Sequence, residues 1–240
     1  MNLNLSIPCK AFPRATELEE GFVDEPLVSL SGDFVVKPFY HRMGIEGALD
    51  DCYVRETVKE KLLEAQAYLP EGLKFAVVDG YRPLAVQEYL WNKERRKLQR
   101  IYGSCMDEML DEMTSKYVSK PSYDIYNPSV HNTGGAVDLT LITDNGYYLD
   151  MGTLFDDFST NAWTDEFEDT VLFPEVRNNR RILYNAMTRA GFTNLPTEWW
   201  HFDYGDKFWA YYTGNPQLYK GILVPEGYCE MHSHVGDTPT

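Results

Sequence analysis

The segment SVHNTGGAVDLTLI, residues 129–142, joins a polar turn to an apolar run. Residues 135–142 are rich in apolar and β-forming side chains and predict a strand. The two consecutive glycines allow a sharp turn, so His131 before the turn and Asp138 within the strand can face one centre. Burying a carboxylate among apolar residues is costly unless it is paired or bound to a metal ion. Taken alone, His131 is more simply interpreted as a surface histidine, and Asp138 as an aspartate that caps a turn.

The elements around this segment decide the fold class. Apolar residues at helical spacing predict a helix over residues 55–69, and an apolar run at 74–79 predicts a strand. The other expected elements are helices at 84–100, 104–118 and 175–189, a hairpin around 144–149, an irregular loop at 151–170 and a last strand at 198–204. Because strands and helices do not alternate regularly, this order predicts an α+β fold with a central antiparallel sheet and helices mainly on one face.

Composition limits the domain organisation and the partners. The chain has 240 residues, and no linker, repeat or change of composition divides it, so we expect a single domain over residues 1–240 with a frayed tail at 232–240. The net charge of −15 argues against a nucleic-acid or anionic-membrane partner, because both need a basic surface. The sequence leaves the oligomeric state open.

Location and redox state follow from simple absences in the sequence. No apolar run approaches the ~20 residues that cross a bilayer, and the N-terminus lacks the basic start and apolar core of a signal peptide. We therefore expect a cytoplasmic protein, or a periplasmic one if a leader has been removed. Cys9, Cys52, Cys105 and Cys229 form no C-x-x-C pair, so we expect mostly free thiols.

A second polar motif, EWWH at residues 198–201, supplies Glu198 and His201. Two histidines and one aspartate can hold a zinc ion with a fourth position open for water, and the remaining glutamate can act as a base toward that water. A spacing of three does not match one face of a strand, so a bulge or a twist at the strand end is required. Polar residues on a solvated edge strand are the alternative.

Two further segments carry candidate charges. Arg82 follows the predicted strand at 74–79, where a fixed guanidinium suits an oxyanion or a substrate carboxylate. An ion pair with Asp79 is the alternative, and the two interpretations are compatible. The segment MGTLFDD at 151–157 contains Asp156, which could bind an ammonium group or simply belong to a solvated acidic loop.

These motifs together, in this order, resemble a known family. DGYRP at 79–83, S-x-H-x-x-G-x-A-x-D-L-T-L from 129, M-G-T-x-F-D from 151 and E-W-W-H from 198 resemble the D-alanyl-D-alanine dipeptidases. These are VanX-type zinc peptidases, related to the D,D-carboxypeptidases and to the hedgehog signalling domain. The resemblance covers roughly residues 74–204 and implies the family's small α+β fold.

The resemblance implies roles for the site residues. His131, Asp138 and His201 would bind one zinc ion per chain. Glu198 would be the general base and then the proton donor to the leaving amine. Arg82 would stabilise the tetrahedral intermediate.

The implied substrate is D-Ala-D-Ala or a similar small dipeptide from peptidoglycan metabolism. Ser129 and Asp156 would lie near its free amino terminus, and Asp79 is a third substrate-binding candidate. Residues 34–44 depart from the family's pattern in a region that walls the substrate cavity. A D,D-carboxypeptidase or peptidoglycan endopeptidase is the alternative enzyme. A non-catalytic metal-binding module is a third possibility. The presence of Glu198 and Arg82 argues against it, because metal binding alone requires neither residue.

Overall fold

The computed structural model describes residues 2–14, 16–103 and 106–224 of the chain. The strands are β1 Leu27–Ser29, β2 Val35–Val36, β3 Tyr53–Arg55, β4 Leu73–Asp79, β5 Ala136–Thr143, β6 Thr193–Asn194 and β7 His201–Asp203. The helices are α1 Phe39–Arg42, α2 Glu56–Ala67, α3 Leu84–Tyr102, α4 Asp107–Thr114, α5 Pro174–Arg189 and α6 Lys207–Thr213.

The central sheet has five strands in the order β2-β4-β5-β7-β6, and β1 pairs with β3 in a separate two-stranded sheet. The pairs β4–β5, β5–β7 and β7–β6 are antiparallel. The predicted α+β class is therefore confirmed. The expectation of a purely antiparallel sheet is corrected at one edge, where β2 runs parallel to β4. The long connection between these two strands, which contains α1, β3 and α2, makes a parallel pairing possible.

The two faces of the sheet have different neighbours. Val137, Leu139 and Leu141 of β5 belong to the main apolar cluster, together with Leu62 of α2 and Leu183 of α5. Since side chains alternate along a strand, the residues between them point to the opposite face. The sheet thus has one face covered by α2 and α5, and its other face is available for a polar site.

The sequence located the long elements well and their ends less well. The helix expected at 84–100 extends to Tyr102, and the helix expected at 104–118 occupies Asp107–Thr114. The expected hairpin is present as a bridge between Ile142 and Tyr148. The strand expected at 198–204 is shortened to β7, because residues 198–200 form a turn.

The predictions of free thiols and of a frayed tail can be compared with the structure only in part. Cys9 is exposed and Cys52 is buried, and both are free thiols. Cys105, Cys229 and the tail at 232–240 lie outside the described residues. Among the helices that the structure describes, none has the length and apolar character to span a bilayer.

Candidate active site

The pairing of β5 with β7 brings Asp138 directly opposite His201. His131 reaches the same point from a short 3-10 helix, Val130–Thr133, which ends at Gly134 in the left-handed conformation with φ 75°. A side chain at Gly135 would collide with the Tyr204 carbonyl oxygen, 2.6 Å from an added Cβ. The two glycines are therefore needed for the turn that carries His131 back to the strand.

Three ligand atoms converge at this point, all on buried side chains. His131 Nε2 lies 3.2 Å from His201 Nδ1 and 3.4 Å from Asp138 Oδ2. His201 Nδ1 lies 3.0 Å from Asp138 Oδ1. A tetrahedral zinc ion with bonds of about 2.0–2.1 Å would separate its ligand atoms by about 3.4 Å. The spacing of these three donors fits such an ion.

The outer nitrogens of both imidazoles are fixed by hydrogen bonds. His131 Nδ1–H donates to the Gly80 carbonyl oxygen at 2.9 Å, and His201 Nε2–H donates to Asp203 Oδ1 at 2.8 Å. Each ring therefore presents its other nitrogen to the centre as a potential metal ligand, an arrangement typical of metal-binding histidines.

Electrostatics at this centre strongly favour a positive charge. Burial lowers the pKa of His201, but the carboxylates of Asp203 and Asp138 outweigh it and raise that pKa well above its ordinary value. Burial raises the pKa of Asp138, but His131 and His201 outweigh it and hold that pKa below its usual range. A metal ion provides the same positive charge in place of a proton.

Asp203 is a functional candidate that the sequence reasoning missed. Its side chain is fully buried, two residues after His201 on the same face of β7. Burial, and then the nearby Asp203, raise the pKa of Asp206 well above its ordinary value. The alternating pattern H-x-D within a strand was the signal that could have found Asp203.

Arg82 lies beside the converging ligands, held from several sides. Its Nη2 is 2.7 Å from Asp79 Oδ2 and 3.6 Å from Asp138 Oδ2, and its Nη1 donates to Gln87 Oε1 at 2.9 Å. The guanidinium also stacks on the Tyr40 ring, 4.9 Å from the centroid. The expected ion pair between Arg82 and Asp79 is present. Asp79 therefore holds Arg82 in place and does not line the cavity, whereas Arg82 does.

Glu198 lies in the turn that precedes β7, and this turn resolves the spacing problem of the EWWH motif. The His201 amide donates to the Glu198 carbonyl oxygen at 3.3 Å, and Glu198 Oε2 lies 3.9 Å from His201 Nδ1. Burial raises the pKa of Glu198 to about 8 against the opposing effect of His201. A carboxyl group with such a pKa can both accept and release a proton near neutral pH.

A small cavity of about 80 Å³ opens onto these groups. Its wall includes Arg82, Glu198, Asp156 and Tyr40, and Asp156 Oδ1 accepts a hydrogen bond from the Tyr40 hydroxyl at 3.3 Å. Ser129 lies outside this wall, with a buried hydroxyl that has no partner among the described residues.

Comparison with known proteins identifies the family. Residues 46–219 match the family model described as Peptidase_M15, D-ala-D-ala dipeptidase. This chain belongs to the D-Ala-D-Ala dipeptidase family. It is accordingly a peptidase, and the resemblance drawn from its motifs is confirmed.

Individual relatives of the D-Ala-D-Ala dipeptidase family agree with this assignment. A D-alanyl-D-alanine dipeptidase of Synechocystis is 29% identical over 209 residues, which are 78% of this chain and 85% of that protein. One of Escherichia coli is 32% identical over 134 residues, 55% of each chain.

Among solved structures, a mutant vancomycin-resistance D,D-pentapeptidase VanY in complex with Zn(II) aligns with a TM-score of 0.46 at 15% identity, over 91% of this chain and 97% of that one.

Proposed function

We propose that this protein is a zinc-dependent dipeptidase that hydrolyses D-Ala-D-Ala or a closely related small dipeptide of D-amino acids. The proposal is carried by the convergence of two imidazole nitrogens and an Asp138 oxygen beside Glu198 and Arg82 in one cavity. The names of the relatives from Synechocystis and Escherichia coli support this substrate. We propose also that the chain is a single peptidase domain, because the main apolar cluster includes both Leu3 and Tyr219.

His131, Asp138 and His201 would hold one zinc ion per chain. Two imidazole nitrogens and one carboxylate oxygen form a ligand set that catalytic zinc uses while one position stays open. Bound there, zinc would supply a Lewis acid that polarises the scissile carbonyl and lowers the pKa of water.

The other residues have separate tasks in peptide hydrolysis. Glu198 accepts a proton from the attacking water and returns it to the leaving amine, for which its raised pKa is suited. Arg82 faces the developing negative charge on the tetrahedral intermediate. Asp79 and Gln87 hold the guanidinium in that position through the contacts described above.

Substrate length depends on how the amino terminus is bound. A dipeptidase must recognise a free ammonium group, and Asp156 is the candidate because its carboxylate lies in the cavity wall next to the Tyr40 hydroxyl. Ser129 remains a second proposed contact of the amino terminus. An N-blocked peptide would leave the Asp156 carboxylate without a cationic partner, which is costly in a partly buried site.

The decisive test compares D-Ala-D-Ala with N-acetyl-D-Ala-D-Ala on the zinc-loaded protein. We expect kcat/KM to be at least about 100-fold lower for the acetylated peptide, the scale on which a site rejects a ligand that leaves its polar groups unpaired. Asp156→Asn should narrow this difference. Asp157→Asn should leave it unchanged, since the Asp157 carboxylate accepts a hydrogen bond from the Ser159 amide and lies outside the cavity wall.

Other outcomes of this comparison would select the alternatives. Equal or faster cleavage of the acetylated peptide would indicate a D,D-carboxypeptidase or an endopeptidase with the same metal site. Binding of zinc without hydrolysis of dipeptides or muropeptides would indicate the non-catalytic module.

The pH dependence of substrate binding provides an independent prediction. Burial raises the pKa of Asp156 to about 6, against the lowering effect of Arg82. The ionised carboxylate is needed for the ammonium group and is lost as the pH falls through about 6, so KM for D-Ala-D-Ala should rise below that pH. Steady-state kinetics from pH 5 to 8 measure this. The same rise of KM in Asp156→Asn would contradict the assignment.

A further inference from the structure

The loop that carries Asp156 is held at its base by one buried arginine of α5. Residues 151–163 contain no α-helix or strand, only a 3-10 turn at Thr160–Ala162. Arg180 donates from Nε to the Met151 carbonyl oxygen at 2.8 Å, from Nη2 to that of Asn161 at 2.7 Å and from Nη1 to that of Trp163 at 2.5 Å. A single guanidinium thus joins the two ends of the loop.

The Arg180 guanidinium holds these backbone carbonyls and forms no ion pair within the described part of the chain. Its side chain is 2% exposed, and its hydrogen bonds go to backbone carbonyls instead of a carboxylate. The guanidinium also lies 4.6 Å from the centroid of the Phe167 ring. Burying a cation without a contacting carboxylate is costly. The three carbonyl oxygens and the aromatic ring offset part of that cost, and the more distant carboxylates of Glu166, Asp150 and Asp165 also favour the cation.

Asp156 needs such support because its backbone is strained. It has φ 66°, the one positive φ among the non-glycine residues that the structure describes. Non-glycine residues keep this conformation only where the surrounding structure holds it. Phe155 anchors the tip, with its ring 5.3 Å from that of Trp200. Trp199 also joins the two arms of the loop, through Thr153 Oγ1 at 2.8 Å and the Ala162 carbonyl oxygen at 3.0 Å. Arg180 adds three charge-assisted hydrogen bonds at the base.

We propose that Arg180 is a positioning residue for substrate specificity, which fixes the loop 151–163 so that Asp156 presents its carboxylate to the substrate's free ammonium group. This inference rests on the proposed function, in which Asp156 binds that group. Arg180 lies outside the cavity wall and acts through the backbone, so its effect should appear in binding of the amino terminus and not in the chemical step.

Arg180→Lys is the variant that tests the inference. Lysine keeps the positive charge, but its single ammonium cannot span three carbonyl oxygens as the planar fork of arginine does. We expect KM for D-Ala-D-Ala to rise by about 10-fold or more, the scale of one lost charge-assisted hydrogen bond. kcat for D-Ala-D-Ala should change by less than about 3-fold. kcat/KM for N-acetyl-D-Ala-D-Ala should not change, because that peptide has no ammonium group for Asp156 to bind.

Arg181→Lys is the matched control on the same helix. Arg181 forms an ion pair with Glu168 and does not contact the loop 151–163. The kinetic constants of the Arg181→Lys variant should therefore match those of the wild type. If Arg180→Lys does not fold, Asn179→Leu tests the same inference, since Asn179 Nδ2 donates to the Asp150 carbonyl oxygen at the same end of the loop, at 2.8 Å.

The outcomes separate this inference from the proposed function. A wild type that does not hydrolyse D-Ala-D-Ala overturns the proposed function, whatever the variants do. A wild type that hydrolyses it, with KM unchanged in Arg180→Lys, overturns the positioning role alone. Equal losses of kcat/KM for the free and the acetylated peptide also overturn it, because they indicate general damage to the site.

Discussion

Replacing Glu198 with glutamine is expected to lower kcat for D-Ala-D-Ala by about 10²–10⁴-fold, the usual contribution of a general acid–base residue. Glutamine keeps the size of the side chain but cannot take a proton from water. The three converging ligand atoms belong to other residues, so zinc content should remain at one ion per chain. Single-turnover kinetics and elemental analysis of the same preparation measure both quantities.

Glu175→Gln is the control for this substitution. Glu175 lies exposed in the first turn of α5 and outside the cavity wall, so its replacement makes the same carboxyl-to-amide change without touching the site. Near-normal turnover in Glu198→Gln would refute the role of Glu198 as base. Loss of zinc together with activity would instead assign it a role in metal binding.

The parts of the fold that could be predicted are those with strong periodicity. α2 and α5 have apolar residues at helical spacing, and β4 and β5 are apolar runs because most of their residues are buried. Local patterns of this kind are set by which face a segment buries. Their register could not be predicted, but it decides that Asp138 meets His201.

The short elements could not be predicted, for a physical reason. β2 and β6 contain two residues each, too few to show a periodic pattern. β2 also depends on pairing with β4, which lies far away in sequence, whereas β6 pairs with the nearby β7. α1 has four residues and is stabilised by packing against α3. Its buried Tyr40 contacts Arg82 and Asp156, so the segment 34–44, which departs from the family's pattern, does form part of the candidate site.

Candidate site residues were predictable where their chemistry is visible in a motif. The spacing of His131, Asp138, Glu198 and His201 suggested a metal site, and the structure brings them together. Arg180 was not predictable in the same way, because its partners are backbone carbonyls, which every residue has. The Glu198 spacing predicts a strand irregularity instead of a turn, because Trp199 and Trp200 in that turn are apolar and buried and resemble part of a strand in the sequence.

Removing His201 is expected to have the largest effect on the metal. His201→Ala deletes one of three ligand donors and leaves Asp138 and Asp203 as buried carboxylates without their imidazole partner. We expect zinc affinity to fall by well over about 100-fold, beyond the range seen for outer-shell residues, and peptide hydrolysis to be lost with it. Competition with a chelator measures the affinity, and circular dichroism checks the fold.

A graded series makes this prediction specific to the proposed ligands. Asp203→Asn keeps all three donors but weakens the acceptor that orients His201, so zinc affinity should fall by about 10–100-fold. His41→Ala should have no effect, because the His41 ring contacts the Ala48 carbonyl oxygen and belongs to no metal-ligand group in the described part of the chain. Zinc retained at unchanged affinity in His201→Ala would refute the ligand assignment. An effect of Asp203→Asn larger than that of His201→Ala would show that Asp203, and not His201, holds the ion.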